Sequence, residues 1–148
     1  MRIILVILNM GLSASHIERA NFEDIQEAIT SNEILINTMS RDNQDCLIKG
    51  TYSYIEEEKL INDLIKQKMF SKRIFIYGRN TNDYSGYEKF FQLQKIGFTN
   101  VYLYIGGLFE WLCLQDIYGN SNFPTTKLEL DIYKYKPHST LNVKRITN

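Results

Sequence analysis

The sequence predicts an α/β protein in which a parallel sheet is covered by helices on both faces. From Asn21 to Tyr118, apolar runs of strand length alternate with amphipathic segments of helix length. The strand-length runs (Ile34 to Met39, Arg73 to Tyr77 and Val101 to Ile105) are mostly apolar throughout, as strands buried on both faces are. The glycines fall at the joints: Gly78 follows a strand, Gly97 follows a helix, and Gly106-Gly107 separates the next strand from its helix. Strands joined in this order through helices form right-handed crossovers.

The elements follow in order. Asn21 is a candidate N-cap, with Glu23 and Asp24 in a first turn where the helix dipole favours negative charge, and with Phe22, Ile25, Ala28 and Ile29 on one face. Ser31-Asn32 ends that helix, and the strand Ile34 to Met39 follows. Ser40 to Asp45 is polar loop, and Cys46 to Thr51 is a brief extended piece containing Gly50. Glu56-Glu57-Glu58 opens a helix with Leu60, Ile61, Leu64, Ile65 and Met69 at helical spacing and Lys66 and Lys68 near its end. The glutamates are read as a solvated first turn, since no aspartate or histidine stands at ligand spacing beside them. After the strand Arg73 to Tyr77 comes a six-residue polar loop, Gly78 to Asp83, then a helix carrying Tyr87, Phe90, Phe91, Leu93 and Ile96. Val101 to Ile105 is the next strand. The helix Leu108 to Ile117 is apolar on nearly every side, which marks it as buried. Beyond Tyr118-Gly119 the rhythm is lost: Phe123-Pro124-Thr125-Thr126 reads as a turn or linker, Lys127 to Tyr135 alternates weakly like a strand, and the tail after Pro137 is expected to be poorly ordered.

With 148 residues, 44% hydrophobic and 23% charged, the chain suits one globular domain with a sizeable core. The organisation expected is an N-terminal extension over residues 1–20, the domain over 21–119, and a C-terminal extension over 120–148 that holds one or two strands or is partly disordered. Seventeen acidic residues balance seventeen basic ones, so charge draws the protein neither to nucleic acid nor to acidic lipid. Cys46 and Cys113 lie far apart without paired spacing, which argues against a disulfide framework or a zinc site and suits a reducing, cytoplasmic setting. His16 and His138 stand alone on polar segments and are expected at the surface, with no metal or cofactor site.

The N-terminus admits several readings. Met1 to Asn9 is apolar but far short of the roughly 20 residues a spanning helix needs. Arg2, Ile3 to Leu8 and Ser13-Ala14-Ser15 imitate a secretory signal, with an apolar core at the short limit. Met10-Gly11-Leu12-Ser13-Ala14-Ser15 fits the N-myristoylation pattern, which would make the protein a peripheral membrane adaptor acylated on Gly11 if translation began at Met10. As written Gly11 is internal, and an edge strand or apolar tail is the favoured reading.

The succession ILINTM, CLIKGT, RIFIYG, a six-residue loop with its helix, and GFTNVYLYIGG followed by FEW resembles a rhodanese-like domain. In that family a strand ends in a cysteine that begins the active-site loop, and a phrase of the type Gly-Phe-x-x-Val-Tyr-x-Leu-x-Gly-Gly-x-x-x-Trp closes the core. Gly97-Phe98, Val101-Tyr102, Gly106-Gly107 and Trp111 reproduce that phrase. The resemblance runs from about Phe22 to Tyr118 and implies a five-stranded, mainly parallel sheet with flanking helices. It also implies a chemistry: a thiolate at the first loop position accepts sulfur as a persulfide, and related cell-cycle phosphatases attack phosphate from the equivalent loop.

This chain departs from that pattern at the first loop position, where Gly78 stands in place of the nucleophilic cysteine. Near the loop's far end, where many sulfurtransferases carry an arginine, it has Asp83, whose carboxylate would repel an anion. Neither Cys46 nor Cys113 is placed by the sequence as a replacement, and Ser85 and Thr81 lack a histidine near enough in sequence to serve as base. The binding loop Gly78, Arg79, Asn80, Thr81, Asn82 and Asp83 retains two readings. Its amides and Arg79 would hold a small anion, or Asn82 or Asp83 caps the helix and fills the site from within, which is favoured. If the cradle survives, a cysteine restored at Gly78 would be a reactive thiol of lowered pKa, and an ordinary one would mean that the loop has lost its anion-holding shape. The function expected is a catalytically inactive rhodanese-like domain with a binding, scaffolding or regulatory role toward an unidentified protein partner, the alternative being a sulfurtransferase acting through a non-standard cysteine.

Overall fold

A computed structural model of the protein describes residues 16–141. Gly11 and the apolar run Met1 to Asn9, on which the lipidation and signal readings rest, lie outside the described residues. Five strands form one parallel sheet: β1 (Arg19–Ala20), β2 (Ile34–Asn37), β3 (Thr51–Tyr52), β4 (Ile74–Tyr77) and β5 (Val101–Tyr104), in the order β1-β5-β4-β2-β3. Among the described residues, four helices connect or follow them: α1 (Phe22–Thr30), α2 (Tyr54–Lys66), α3 (Ser85–Ile96) and α4 (Gly107–Tyr118). No helix among the described residues is long and apolar enough to cross a membrane.

Alternation along the strands divides the core in two. Leu35, Phe75, Tyr77 and Tyr104 point to the face covered by Ile25 and Ala28 of α1 and by Leu108, Trp111 and Leu112 of α4. Ile34, Ile36, Ile74, Ile76, Val101 and Leu103 point to the other face, against Ile61 and Leu64 of α2 and Phe90, Phe91 and Leu93 of α3. Both faces of β4 are buried, which is why its sequence shows no polar alternation.

Local chemistry sets the helix ends. Asn21 and Asp24 form a capping box, the Asn21 side chain accepting from the Asp24 amide at 3.0 Å while the Asp24 carboxylate accepts from the Asn21 amide at 2.9 Å. The second helix begins at Tyr54, two residues before the glutamates, because the Ser53 hydroxyl accepts from the Glu56 amide. Gly97, at φ +129°, stops α3 and turns the chain into the strand below.

Two segments differ from expectation. Arg19–Ala20, expected in an N-terminal extension, is the sheet's edge strand beside β5. Two residues are too few to carry a periodic signal. Lys127 to Tyr135, expected as a weak strand, ends instead in a short 3₁₀ turn, Ile132–Tyr135. The segment that leads to it is pinned to the core: Phe123 is buried, Thr125 bridges to Ile48, and the Trp111 indole donates to the Pro124 carbonyl at 3.1 Å. Gln115 reinforces this corner by donating to the Phe123 carbonyl at 2.8 Å.

Tyr77, the last residue of β4, is fully buried, and its hydroxyl accepts from the Ile48 amide at 3.0 Å. The Thr51 hydroxyl donates to the Ile48 carbonyl at 2.6 Å, so at the 2.8 Å contact between Tyr77 and Thr51 the phenol is the donor. A closed ring of three bonds thus ties the end of β4 to the segment entering β3. Replacing Tyr77→Phe leaves the buried Ile48 amide without an acceptor, and we expect urea denaturation to show a loss of about 1–3 kcal/mol at an unchanged fold.

Candidate functional site

In register across the sheet, Asn37 of β2, Tyr77 of β4 and Tyr104 of β5 lie side by side, so the segments leaving all three strands gather at one edge. This is the carboxyl edge, where open α/β sheets bind ligands. The loop Gly78 to Asp83 occupies its centre.

The loop's backbone is fixed from two sides. The first amides of α4 donate into it, Leu108 to the Gly78 carbonyl and Phe109 to the Arg79 carbonyl, each at 3.0 Å. Gly107, at φ +68°, permits this approach: a β-carbon there would stand 2.7 Å from the Gly78 carbonyl oxygen. On the other side the Thr38 amide donates to the Tyr77 carbonyl at 3.0 Å.

The centre of the loop is filled by Asp83. One carboxylate oxygen accepts from the Arg79 amide at 2.9 Å, and the other accepts from the Ser85 amide at 3.0 Å and the Ser85 hydroxyl at 2.6 Å. With the Ser85 proton directed at Asp83, Thr38 donates across the 2.7 Å contact between the two hydroxyls. Asn80 shapes the turn, its side-chain oxygen accepting from the Asn82 amide at 2.9 Å. Of the two capping candidates, Asp83 is the one that serves, and Asn82 and Thr81 are exposed at the loop's tip. The carboxylate holds the Ser85 amide at the helix start, where the dipole also favours a negative charge.

Gly78 gives the loop its first position, and it is buried. A β-carbon at that residue would lie 2.7 Å from the Asp83 carboxylate and 2.9 Å from the Thr38 hydroxyl. The space a side chain would use is therefore taken by groups that are themselves hydrogen-bonded.

Arg79 does not face an open mouth. Its guanidinium donates to the Lys134 carbonyl and stands 5.0 Å over the ring of Tyr135, while the Asn80 side-chain amide donates to the Tyr135 carbonyl at 2.9 Å. The 3₁₀ turn of the C-terminal segment thus lies against the loop. Thr38 and Tyr135 are the site residues that sequence reasoning missed, and Ser85, weighed there only as a nucleophile, serves as a donor to Asp83. Thr38 was in principle accessible, since parallel register sets the residue after Asn37 beside the residue after Tyr77. The approach of Tyr135, more than fifty positions away, leaves no local signal.

The cysteines stand apart from the loop's centre. Cys46 is buried, its thiol donates to the Lys127 carbonyl at 3.4 Å, and burial pushes its pKa up, with the Glu129 carboxylate adding to the effect. Burial likewise raises the Cys113 thiol on α4, assisted by Asp116 and Glu110. Both are protonated thiols at neutral pH. His16 and His138 are exposed. No cluster of three or more metal-ligating side chains occurs among the described residues.

Comparisons with known proteins bear on the architecture. The Alr3790 protein of Anabaena sp. superposes with a TM-score of 0.55 at 19% identity, over 78% of this chain and 97% of that one. Its rhodanese-like domain, in a solution structure, gives 0.54 at 20% identity over 82% and 86%. Yeast Ygr203w, a protein tyrosine phosphatase of the rhodanese family, gives 0.57 at 12% identity over 79% and 96%. The fold is rhodanese-like. Neither protein-family models nor curated proteins give a match. At these identities the likeness establishes the rhodanese-like architecture, and the chemistry of the loop rests on this chain's own residues.

The occupied loop corrects the expectation for a restored thiol. A Gly78→Cys side chain would emerge beside the Asp83 carboxylate, and a neighbouring negative charge disfavours the thiolate. We expect its pKa, followed by thiolate absorbance, to lie above the ordinary value of about 8.5, and to fall below it when Asp83→Ala is added.

A second titration is expected from Glu110, on the first turn of α4. Burial raises its pKa, partly offset by the Tyr104 hydroxyl. A carboxyl raised on folding contributes stability that is complete below the unfolded value of about 4.3 and is lost as pH rises through the folded value. Glu110→Gln should flatten the urea midpoint across that window and leave the variant more stable than the parent at neutral pH.

Proposed function

We propose that this rhodanese-like domain is a binding or scaffolding module that performs no sulfur or phosphoryl transfer. One observation carries the reading: the Asp83 carboxylate, held by two backbone amides and a hydroxyl, occupies the position into which a nucleophile at residue 78 would project. Covalent catalysis at this loop needs a thiolate and room for an anionic substrate. Gly78 supplies no nucleophile, and Asp83 already holds amides that would receive an anion. A small anion at the loop is therefore disfavoured, and the expected partner is another protein. The unpaired, protonated thiols of Cys46 and Cys113 suit a reducing compartment.

The test is a thiosulfate-to-cyanide assay on the protein and on the Cys46→Ser, Cys113→Ser double variant. Thiocyanate formation is expected to stay at the uncatalysed rate for both. Turnover by the parent that vanishes in the double variant would overturn the reading and identify a non-standard cysteine as the sulfur carrier.

A further inference from the structure

The loop's two most chemically capable side chains are spent on the main chain of a distant segment. Arg79 donates to the Lys134 carbonyl, and Asn80 donates to the next carbonyl, that of Tyr135, at 2.9 Å. The Tyr135 ring between these attachments is 2% exposed, joins the core cluster of Cys46, Tyr77, Leu108 and Trp111, and lies 5.0 Å beneath the Arg79 guanidinium. Paired bonds to consecutive carbonyls around a buried aromatic anchor make up a peptide-recognition site: carbonyls give affinity to any chain, and the ring gives selectivity.

The segment that fills this site is lightly held. From Lys127 to Lys136 only Tyr135 is buried, and Leu128, Leu130 and Tyr133 are 69%, 86% and 72% exposed. Its ion pair, Lys134 with Glu129 at 2.8 Å, is internal and would leave with it. The pairing of Thr125 with Ile48 and the Trp111 bond to Pro124 stop short of this stretch and would hold its base in place. Besides Tyr135 it touches the core through the half-buried Ile132 and through the Cys46 thiol on the Lys127 carbonyl, and a segment with one fully buried side chain opens at less than the cost of global unfolding.

We propose that the loop is a peptide-binding site whose resident ligand is residues 127–136 of this same chain, displaceable by a tyrosine-anchored peptide of a partner protein. The inference rests on the reading of the loop as a binding element and adds its ligand class and its cis-acting competitor. Displacement leaves Asp83 in place, because its bonds to Arg79 and Ser85 are made within the loop and to the start of α3, apart from residues 127–136.

The probe is a fluorescein-labelled peptide of sequence KLELDIYKYKPHS, copied from residues 127–139, added to the full chain. Removing the resident anchor with Tyr135→Ala is expected to tighten peptide binding at least about tenfold, since the binding-competent fraction rises. Arg79→Ala in that background should abolish the gain. Equal binding to the parent and Tyr135→Ala chains, or a gain that survives Arg79→Ala, would overturn the proposal. Amide exchange of the unmodified protein supplies a second measure independent of any variant. Residues 127–136 are expected to exchange at least about a hundredfold faster than Ile76 and Leu103, and exchange at a common rate would make the segment part of the core and overturn the proposal. Thiocyanate formation by the Tyr135→Ala chain would count against the binding-module reading alone, whereas absent peptide binding without sulfur transfer would count against the resident ligand alone.

Discussion

The register of β4 is the constraint on which the site depends. It pairs on both sides, Tyr77 standing level with Asn37 and with Tyr104, so that three strands end together. That common edge brings Thr38, the loop and the start of α4 into hydrogen-bonding range of one another. Asn37 shows the same economy one strand away, donating to the Tyr52 carbonyl at 3.0 Å and accepting from the Met39 amide at 3.0 Å. The polar residues at the sheet's carboxyl edge satisfy backbone groups that would otherwise be stranded beside a buried core.

Within this frame the loop has a rhodanese-like setting and an internally satisfied interior. A helix N-terminus and a turn of inward amides form an anion receptor by geometry alone. Here the chain supplies the anion itself, as Asp83, and supplies a ligand for Arg79 and Asn80 as the carbonyls of Lys134 and Tyr135. Both inner and outer faces of the loop are thereby occupied by covalently attached partners, which bind at high effective concentration.

The alternation of apolar runs and amphipathic stretches, the Asn21 cap and the glycine joints made most of the architecture legible in the sequence, because each is a local signal with a local cause. Gly78 and Asp83 were legible for the same reason: the first lacks a side chain, and the second lies two residues before the helix-start amide that it holds. The edge strand Arg19–Ala20 was too short to announce itself, and its place follows from pairing with Leu103 and Tyr104. Tyr135 was read as one position of a weak strand. Its burial depends on contacts between segments that propensity does not encode, with the carbonyls recruited by Arg79 and Asn80 overriding a faint alternation.

The absent β-carbon at Gly78 carries a consequence for how such a sequence can change. A cysteine arriving there alone meets the Asp83 carboxylate and the Thr38 hydroxyl. Loss of Asp83 alone strips the Arg79 and Ser85 amides of their acceptor. A side chain at position 78 and the carboxylate at position 83 compete for one space, so the two positions are coupled. Any substitution that gives residue 78 a side chain is therefore accommodated only together with a change at residue 83 or a shift of its carboxylate.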